Sequence, residues 1–408
     1  MKIKERITIT PHLLICVSLI GLLVLQIISY ARAEWVGETG VWTDVVLLSK
    51  NAYSNKIMEA FRFGFLALVL MGSLLLLTYD AKSWIGIVVL SGFAIVYSAG
   101  AIFDIGLSRA MYSGNLPLIY LLVIGFFVGQ KQSVWENVKR LFLPLVIVYA
   151  ILFTYEFVDS YSKYGWVIYQ NSSMMAYYSH LFWTSLAYIY CCITEKKKKI
   201  LIYPILIVLF IGAIVLRSRG WVVQAALLIL ITSFTLYREK KPGLKSTLKG
   251  VAVITVISIV AAVLLDFYFS EFVMSLEEKG LADSRSLQYM EILGQTEPYK
   301  WILGQGISAT YIHKGESTRF IDNQTLYIAF HYGALFTMCY FLPYFFAMGK
   351  CVQKATKMRF WLFSALVVFL WIASVNGLSV YNGIQLDVKS FIMPFLAGHI
   401  YQMAKDSK

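Results

Sequence analysis

Long, unbroken apolar runs dominate the pattern of hydrophobic and polar positions along the chain. A transmembrane helix needs about 20 mostly apolar residues to cross about 30 Å of hydrocarbon. Strand-like alternation is missing from the runs, and an open sheet leaves its edge groups unsatisfied in lipid, so the pattern predicts helices. The predicted spans lie near residues 12–30, 57–79, 83–103, 116–129, 141–158, 173–193, 200–216, 219–237, 248–268, 324–348, 359–378 and 388–403.

Basic residues in alternate connections predict the orientation of these spans. Lys and Arg are enriched in cytoplasmic connections of membrane proteins. The basic connections alternate with slightly acidic ones, and they place both termini in the cytoplasm. The sequence therefore predicts an all-α polytopic membrane protein with about 12 transmembrane helices. Residues 1–408 form a single membrane domain, and one large external loop at about 269–323 carries short helices.

Composition narrows the class of protein further. Hydrophobic residues make up 59% and charged residues 14% of the 408 positions, against about 45–50% and 25% in soluble domains. This excess of apolar surface excludes a soluble enzyme. The net charge of +13 would suit a nucleic-acid partner, but its surplus lies in the predicted cytoplasmic connections, so no nucleic acid is expected. No Cys or His spacing indicates a metal site, and no cofactor is expected.

Two arginines lie where the seventh and eighth runs meet. As one helix, residues 200–237 would be about 57 Å long, far beyond a bilayer. Basic segments flank both ends, so the sequence predicts a tight hairpin with Arg217 and Arg219 at the outer membrane boundary. The planar guanidinium group of an arginine side chain binds phosphate in a bidentate manner. The alternative is that both arginines extend to lipid headgroups.

Candidate chemistry is concentrated in the predicted external loop and the helix that follows it. A helix is predicted from Asp283 or Ser284 to a point before Pro298, because an N-cap residue begins it and proline ends it. Asp322 precedes the tenth run and is either the N-cap of that helix or a group that takes a proton. His313 is a second candidate base. Packing roles are predicted for two further histidines inside the runs, His180 and His331.

Four motifs follow one another within residues 215–335: Arg-Ser-Arg-Gly at 217–220, Asp-Ser-Arg at 283–285, Leu-Gly-Gln-Gly at 303–306, and Asp-Asn-x-x-Leu with a later Gly at 322–333. The order of these motifs, their spacing and their predicted side of the membrane resemble those of the superfamily of O-antigen polymerases and O-antigen ligases. These are bacterial membrane glycosyltransferases that act on polyprenyl-diphosphate-linked glycans. The ligases usually carry His-Asn where this chain has Asp322-Asn323, and this difference favours a polymerase.

The resemblance implies transfer of a growing glycan from undecaprenyl diphosphate to a hydroxyl of a second lipid-linked repeat unit. The reaction would take place on the outer side of the bacterial cytoplasmic (inner) membrane. Its partners would be the lipid-linked donor and acceptor oligosaccharides, membrane lipids and a chain-length regulator protein. The implied site has catalytic residues Asp322 (ranked first as the base), His313 (ranked second) and Arg285, diphosphate-binding residues Arg217, Arg219, Arg285 and Arg319, and substrate-binding residues Asn323, Tyr289, Gly304 and Gly306.

Two alternatives remain open from the sequence. One is an O-antigen ligase, and the other is a flippase or transporter for lipid-linked saccharides. Transporters usually place ionisable groups near the middle of the membrane, whereas the candidate residues here cluster at the outer boundary and in one loop. That distribution favours chemistry on a lipid headgroup at the membrane surface.

Overall fold

The fold is helical throughout most of the chain that the structure describes. The computed structural model describes residues 10–31, 35–36, 48–49, 56–77, 81–105, 124–164, 172–195, 199–216, 218–240, 284–306, 308–318, 321, 323–355, 360–373 and 388–407. Its helices are α1 (Pro11–Ala31), α2 (Lys56–Leu77), α3 (Ala81–Ile105), α4 (124–129), α5 (Gln132–Val138), α6 (Phe142–Tyr164), α7 (Ser172–Thr194), α8 (Ile202–Val215), α9 (Arg219–Lys240), α10 (Ser284–Gln295), α11 (Pro298–Leu303), α12 (Gln324–Lys354), α13 (Phe360–Ile372) and α14 (Val388–Asp406).

The strands and single-turn helices are short. Strand β1 (Trp35–Val36) pairs with β2 (Leu48–Ser49), and β3 (Tyr311–His313) pairs with β4 (Glu316–Thr318), both antiparallel. Short 3₁₀ turns at Lys139–Leu141 and Lys199–Leu201 lead into α6 and α8. The all-α class is therefore confirmed for the described residues, with two small strand pairs added to it.

The described parts of the predicted apolar runs coincide with helices, whereas α5, α10 and α11 lie outside the runs. The ninth run, at 248–268, residues 116–123 of the fourth and residues 374–378 of the eleventh lie outside the described residues. Two helical segments, Gln132–Asp159 and Gln324–Lys354, are long and apolar enough to cross a membrane. Shorter apolar segments lie at Pro11–Leu25, Phe63–Leu77, Ala81–Leu90, Ile202–Val215, Gly220–Leu236 and Phe360–Ile372.

Side-chain contacts fix the relative directions of several helices. Ser179 contacts Lys389, and Tyr190 packs on His399 further along both helices, so α7 and α14 run in parallel. By contrast, α6 and α7 are antiparallel, because Tyr149 stacks on His180 and Phe153 packs on Tyr178. Helices α7 and α14 are the sixth and twelfth apolar runs, so these two even-numbered runs share one direction.

Helix α7 lies at the centre of the bundle. Every side chain from Met174 to Ile193 is buried, apart from the half-buried Met175. Two of its polar side chains bond to backbone within the protein: Thr184 donates to the carbonyl of His180 at 2.7 Å, and Tyr178 donates to the carbonyl of Leu209 at 2.6 Å. A helix that is buried on all sides carries no solvent-facing stripe, and so α7 is positioned to contact functional groups from several other helices.

Two glycines allow α4 and α14 to approach closely. A Cβ atom on Gly129 would lie 2.0 Å from the carbonyl oxygen of Phe395, and one on Gly398 would lie 1.9 Å from that of Phe126. We expect Gly398→Ala to lower the free energy of unfolding by about 1–3 kcal/mol, because the two backbones must separate. Gly349→Ala is the matched control, since a Cβ there meets nothing within 4 Å. Equal thermal denaturation midpoints for the two purified variants would contradict this packing.

Candidate functional site

The arginine hairpin is held in place by Tyr178 of α7. Helix α8 ends at Val215 and α9 begins at Arg219, so the tight turn predicted from the sequence is confirmed. On one arm of the hairpin, the Tyr178 hydroxyl donates to the carbonyl of Leu209. On the other arm, the Tyr178 ring packs edge-on against Trp221, with 5.2 Å between ring centroids. The two arms of the hairpin, at Leu209 and Trp221, therefore lie against the N-terminal half of α7.

Three buried tryptophans connect this hairpin to the C-terminal end of α13. Trp183 of α7 lies 6.2 Å from Trp221 and 5.2 Å from Trp371, centroid to centroid. The exposed fractions of these side chains are 2% or less. We call Trp183, Trp221 and Trp371 the tryptophan cluster. Buried aromatic rings that pack edge to face resist displacement, so the cluster fixes the arginine hairpin relative to α13.

The same cluster holds the N-terminal end of α12. The Gln324 side-chain amide donates to the carbonyl oxygens of Trp371 and, at 3.3 Å, of Ile372. Asn323 caps the helix, because its Oδ1 accepts from the N–H groups of Thr325 and Leu326 at 2.9 and 3.0 Å. The alternative in which Asp322 caps this helix is therefore wrong, since the next residue fills that position. The role of Asn323 in substrate binding stays a prediction.

A break in α12 receives the Leu-Gly-Gln-Gly turn. Gly333 interrupts the helix with φ 87° and ψ 160°, which leaves the carbonyl groups before it without their helical partners. Gln305 N–H donates to the carbonyl of Phe330 at 2.8 Å, and Gly306 N–H donates to that of His331 at 2.9 Å. A Cβ on Gly304, at φ +82°, would lie 2.6 Å from Gly333 N. Backbone packing therefore accounts for Gly304 and Gly333, while substrate binding by Gly304 and Gly306 stays a prediction.

A small β-hairpin packs on one face of α10. The Gln288 side-chain amide donates to the Tyr311 hydroxyl at 2.7 Å. Gln295 bonds both backbone groups of Ile312, each at 2.7 Å. The hairpin also contacts α12, where the Tyr311 ring packs on Phe330 with centroids 6.0 Å apart. Helix α10, the hairpin and the first turns of α12 thus form one unit, which we call the outer unit (residues 284–306, 308–318 and 324–333).

His313 and Glu291 lie within ion-pair distance of each other in the outer unit. His313 Nδ1 donates to Glu291 Oε2 at 2.5 Å, and the Lys314 N–H donates to the other carboxylate oxygen at 3.3 Å. The hydrogen bond from His313 is the main cause that lowers the pKa of Glu291 below its usual value of 4.5. A carboxylate that holds one ring nitrogen orients the second nitrogen of the imidazole, which is the arrangement a general base requires. His313 is 21% exposed and accessible from solvent.

The lowered pKa of Glu291 predicts how the hairpin responds to acid. A carboxyl whose folded-state pKa is depressed stabilises the fold above its usual pKa and loses this effect as the pH falls through the folded value. We expect hydrogen-exchange protection of the Lys314 amide, corrected for intrinsic rate, to persist down to about pH 5 and to fall once the pH drops below 4.5. Glu291→Gln should remove this pH dependence, whereas Glu316→Gln, at an exposed position, should keep it. Identical acid profiles for the wild type and Glu291→Gln would contradict the assignment.

The structure describes the other predicted site residues only in part. Arg285 lies in the first turn of α10 and Arg219 begins α9, but their side chains are outside the described residues. Tyr289 is half-buried on α10. The remaining candidates that lie outside the described residues are Arg217, Arg319 and Asp322.

The two histidines for which packing was predicted are buried. His180 bonds the carbonyl of Ala176 at 2.6 Å through Nδ1, and its ring stacks on Tyr149. His331 Nδ1 donates to the carbonyl of Gly306 at 2.8 Å, and its ring packs on Tyr327. Both have 0% exposed surface. The predicted packing roles are confirmed.

Sequence reasoning missed two features of this region. The first is the β-hairpin, whose sequence signal is the pair Lys314-Gly315 between two short strands. Both residues have positive φ, as a two-residue type I′ turn requires. The other is Lys389, a buried lysine in the first turn of α14 whose Nζ donates to Ser179 Oγ at 2.8 Å. In the sequence it reads as an ordinary basic residue at the end of an apolar run.

The geometry links the segments that carry the predicted motifs. The tryptophan cluster joins the arginine hairpin to the N-terminal end of α12, and the outer unit docks on the next turns of that helix. Among the described residues, no group of three or more His, Cys, Asp or Glu side chains is arranged to hold a metal ion. No protein-family model, curated protein or solved structure matches the chain.

Proposed function

We propose that the chain is a bacterial polysaccharide polymerase of the inner membrane, which builds O-antigen or capsule from lipid-linked repeat units. It would transfer a growing glycan from undecaprenyl diphosphate to a second lipid-linked unit. The observation that carries the proposal is that the tryptophan cluster joins the arginine hairpin to the N-terminal end of α12, on which the outer unit packs. These are the segments that carry the four motifs of the sequence.

A membrane location is supported by composition and by the surface of the helices. Two helical segments are long and apolar enough to span a bilayer. Large apolar side chains are exposed along the middle of α12: Leu335, Met338, Leu342, Phe345 and Phe346. Water disfavours such a stripe, whereas lipid does not. The shared direction of α7 and α14, the sixth and twelfth runs, agrees with a chain that crosses the membrane between successive runs.

The proposed reaction places specific demands on charge. The acceptor hydroxyl oxygen bonds to the anomeric carbon of the donor glycan, and the bond from that carbon to the diphosphate oxygen breaks. The diphosphate leaves with the bonding electron pair, so cationic groups beside it lower the barrier. We assign this role to Arg217, Arg219 and Arg285, with Arg319 as a fourth member. They replace the metal ion that many phosphate enzymes use.

A base must accept the proton of the acceptor hydroxyl. Asp322 lies two residues before Gln324 and next to the capped end of α12, and we rank it first. Next comes His313, because Glu291 orients its imidazole. Single substitutions, Asp322→Asn and His313→Gln, distinguish the two candidates: the variant of the true base loses about 10²–10⁴ in rate, whereas the other keeps chain assembly within a few fold.

Topology provides a test that is independent of catalysis. Single cysteines at Lys314 and at Lys405, in a background without the five native cysteines, are treated in intact cells with a membrane-impermeant thiol reagent. The proposal predicts labelling at 314 from the outside and labelling at 405 only after lysis. External labelling of the cysteine at 405, or protection of the one at 314, would contradict the proposed orientation.

A further inference from the structure

Large apolar side chains are exposed on the two helices of the outer unit that belong to the predicted external loop. Six of them have exposed fractions between 39% and 64%: Leu287, Met290 and Leu293 of α10, and Tyr299, Ile302 and Leu303 of α11. Water disfavours such a concentration of apolar surface, which marks a contact site for a protein or a membrane. The proposed reaction uses none of these side chains, so they require a different partner.

Helix α10 has two opposite sides. Its exposed Leu287, Met290 and Leu293 follow one another at intervals of three residues, which places them on one side of the helix. On the other side, Gln288 and Gln295 bond to the β-hairpin. The hairpin therefore covers the polar side of α10 and leaves the apolar side exposed. A helix with this division is typical of segments that lie in a membrane surface.

The contact between α11 and α12 gives the level of α11 relative to the membrane. A Cβ on Gly333 of α12 would lie 2.3 Å from the carbonyl oxygen of Ile302. From Gly333 to Lys354, at the end of α12, a helix is about 32 Å long, and the hydrocarbon of a bilayer is about 30 Å thick. With Lys354 on the cytoplasmic side, as the proposed orientation has it, Gly333 and α11 lie at the outer boundary of the hydrocarbon.

Exposure along α12 changes at the same level. Between residues 324 and 334 no side chain is exposed, whereas Leu335 begins the stripe of exposed apolar side chains. Helix α11 therefore lies just outside the first residue of α12 that faces lipid. It also carries Tyr299 and Lys300, with the ammonium group 5.8 Å from the centre of the tyrosine ring. Both residue types anchor proteins at the boundary between lipid and water.

We propose that the apolar side of α10 and α11 lies on the outer leaflet of the membrane, among the headgroups and upper acyl chains of its phospholipids. Only residues 296 and 297 separate the two helices, so their ends are at most about 11 Å apart and both reach the same surface. The inference rests on the membrane location in the proposed function and not on the proposed reaction. In this orientation the β-hairpin, with His313, lies on the water side of α10.

The test is the accessibility of single spin labels on the purified full chain, in phosphatidylcholine nanodiscs that hold one chain each. The five native cysteines are replaced, and labels are attached to Met290→Cys and Ile302→Cys. Two exposed positions serve as matched controls: Leu342→Cys in the stripe of α12 and Glu316→Cys on the hairpin. Molecular oxygen concentrates in lipid, whereas a nickel chelate stays in water. We expect oxygen-to-nickel ratios at 290 and 302 severalfold above that at 316 and below that at 342.

Each outcome supports or overturns the inference. If the nickel chelate reaches 290 and 302 as readily as 316 while 342 reports lipid, the inference is wrong and the proposed membrane location stands. If 342 also reports water, both are wrong. Labels at 290 and 302 that neither reagent reaches would mean that protein covers this side, which overturns the inference. A label in lipid at 302 with one in water at 290 would overturn it for α10. Leu293→Cys and Leu303→Cys replace the first two variants if either does not fold.

Discussion

Cells that carry Arg219→Ala as their only copy of the protein are expected to lose long glycan chains while the protein still inserts in the membrane. Arg219 begins α9, two residues before Trp221, which packs in the tryptophan cluster. Removing one group that stabilises the departing charge costs about 10²–10³ in rate. Because each chain needs many successive transfers, such a loss shortens the product to one or a few repeat units. The same result is expected for Arg285→Ala.

The measurement is the chain-length ladder of the surface polysaccharide on a gel, together with the amount of protein in the membrane fraction. Arg140→Ala is the matched control, because Arg140 is an exposed arginine beside α6 at the opposite end of the bundle. Its ladder should equal that of the wild type. Normal ladders from both Arg219→Ala and Arg285→Ala would contradict the assignment of these arginines to diphosphate binding.

Gly333→Ala is expected to detach the outer unit from the helix bundle. The residue has φ +87°, and a Cβ there would lie 2.3 Å from the carbonyl oxygen of Ile302. A positive φ combined with ψ near 160° is essentially restricted to glycine and costs another residue about 1–3 kcal/mol, and the overlap with backbone adds about 1–3 kcal/mol. Because Gln305 and Gly306 bond the carbonyls just before this break, their protection from hydrogen exchange should fall sharply and activity should be lost with it.

Gly294→Ala is the control for this prediction. Gly294 lies in α10 within the same outer unit, and a Cβ there meets nothing within 4 Å. Alanine in an ordinary helical position is more stable than glycine by about 0.5–1 kcal/mol, so this variant should be at least as stable as the wild type. Unchanged exchange at Gln305 and Gly306 in Gly333→Ala would show that the contact between the two glycines does not hold the outer unit.

Local patterns in the sequence were sufficient to predict the helices of the described apolar runs and the arginine hairpin. Helix positions follow from the length of apolar runs, and the turn at 216–221 follows from basic segments on both sides of a run too long for one span. The helix beginning at Ser284 was also predicted from its capping residues. These features depend on neighbours along the chain, and so a single sequence contains them.

Contacts between distant segments could not be predicted in this way. Gly304 and Gly333 are far apart in sequence, and only the folded chain shows that each leaves room for the backbone of the other. The same holds for Lys389, because a lysine at the end of an apolar run reads as a group that extends to the membrane surface. Its burial depends on Ser179 in another helix. Asn323 rather than Asp322 caps α12, since either residue type suits that position and the backbone decides between them.

Reconstitution with purified components tests the central claim most directly. The full chain, in vesicles that contain only undecaprenyl-diphosphate-linked repeat units and no other protein, should produce a ladder of longer lipid-linked glycans and release undecaprenyl diphosphate. A polymerase needs no further acceptor for this. A ligase would leave the repeat units unjoined until its own acceptor is added, and a flippase would move them across the bilayer without lengthening them. Intact repeat units after incubation with well-folded protein would contradict the account.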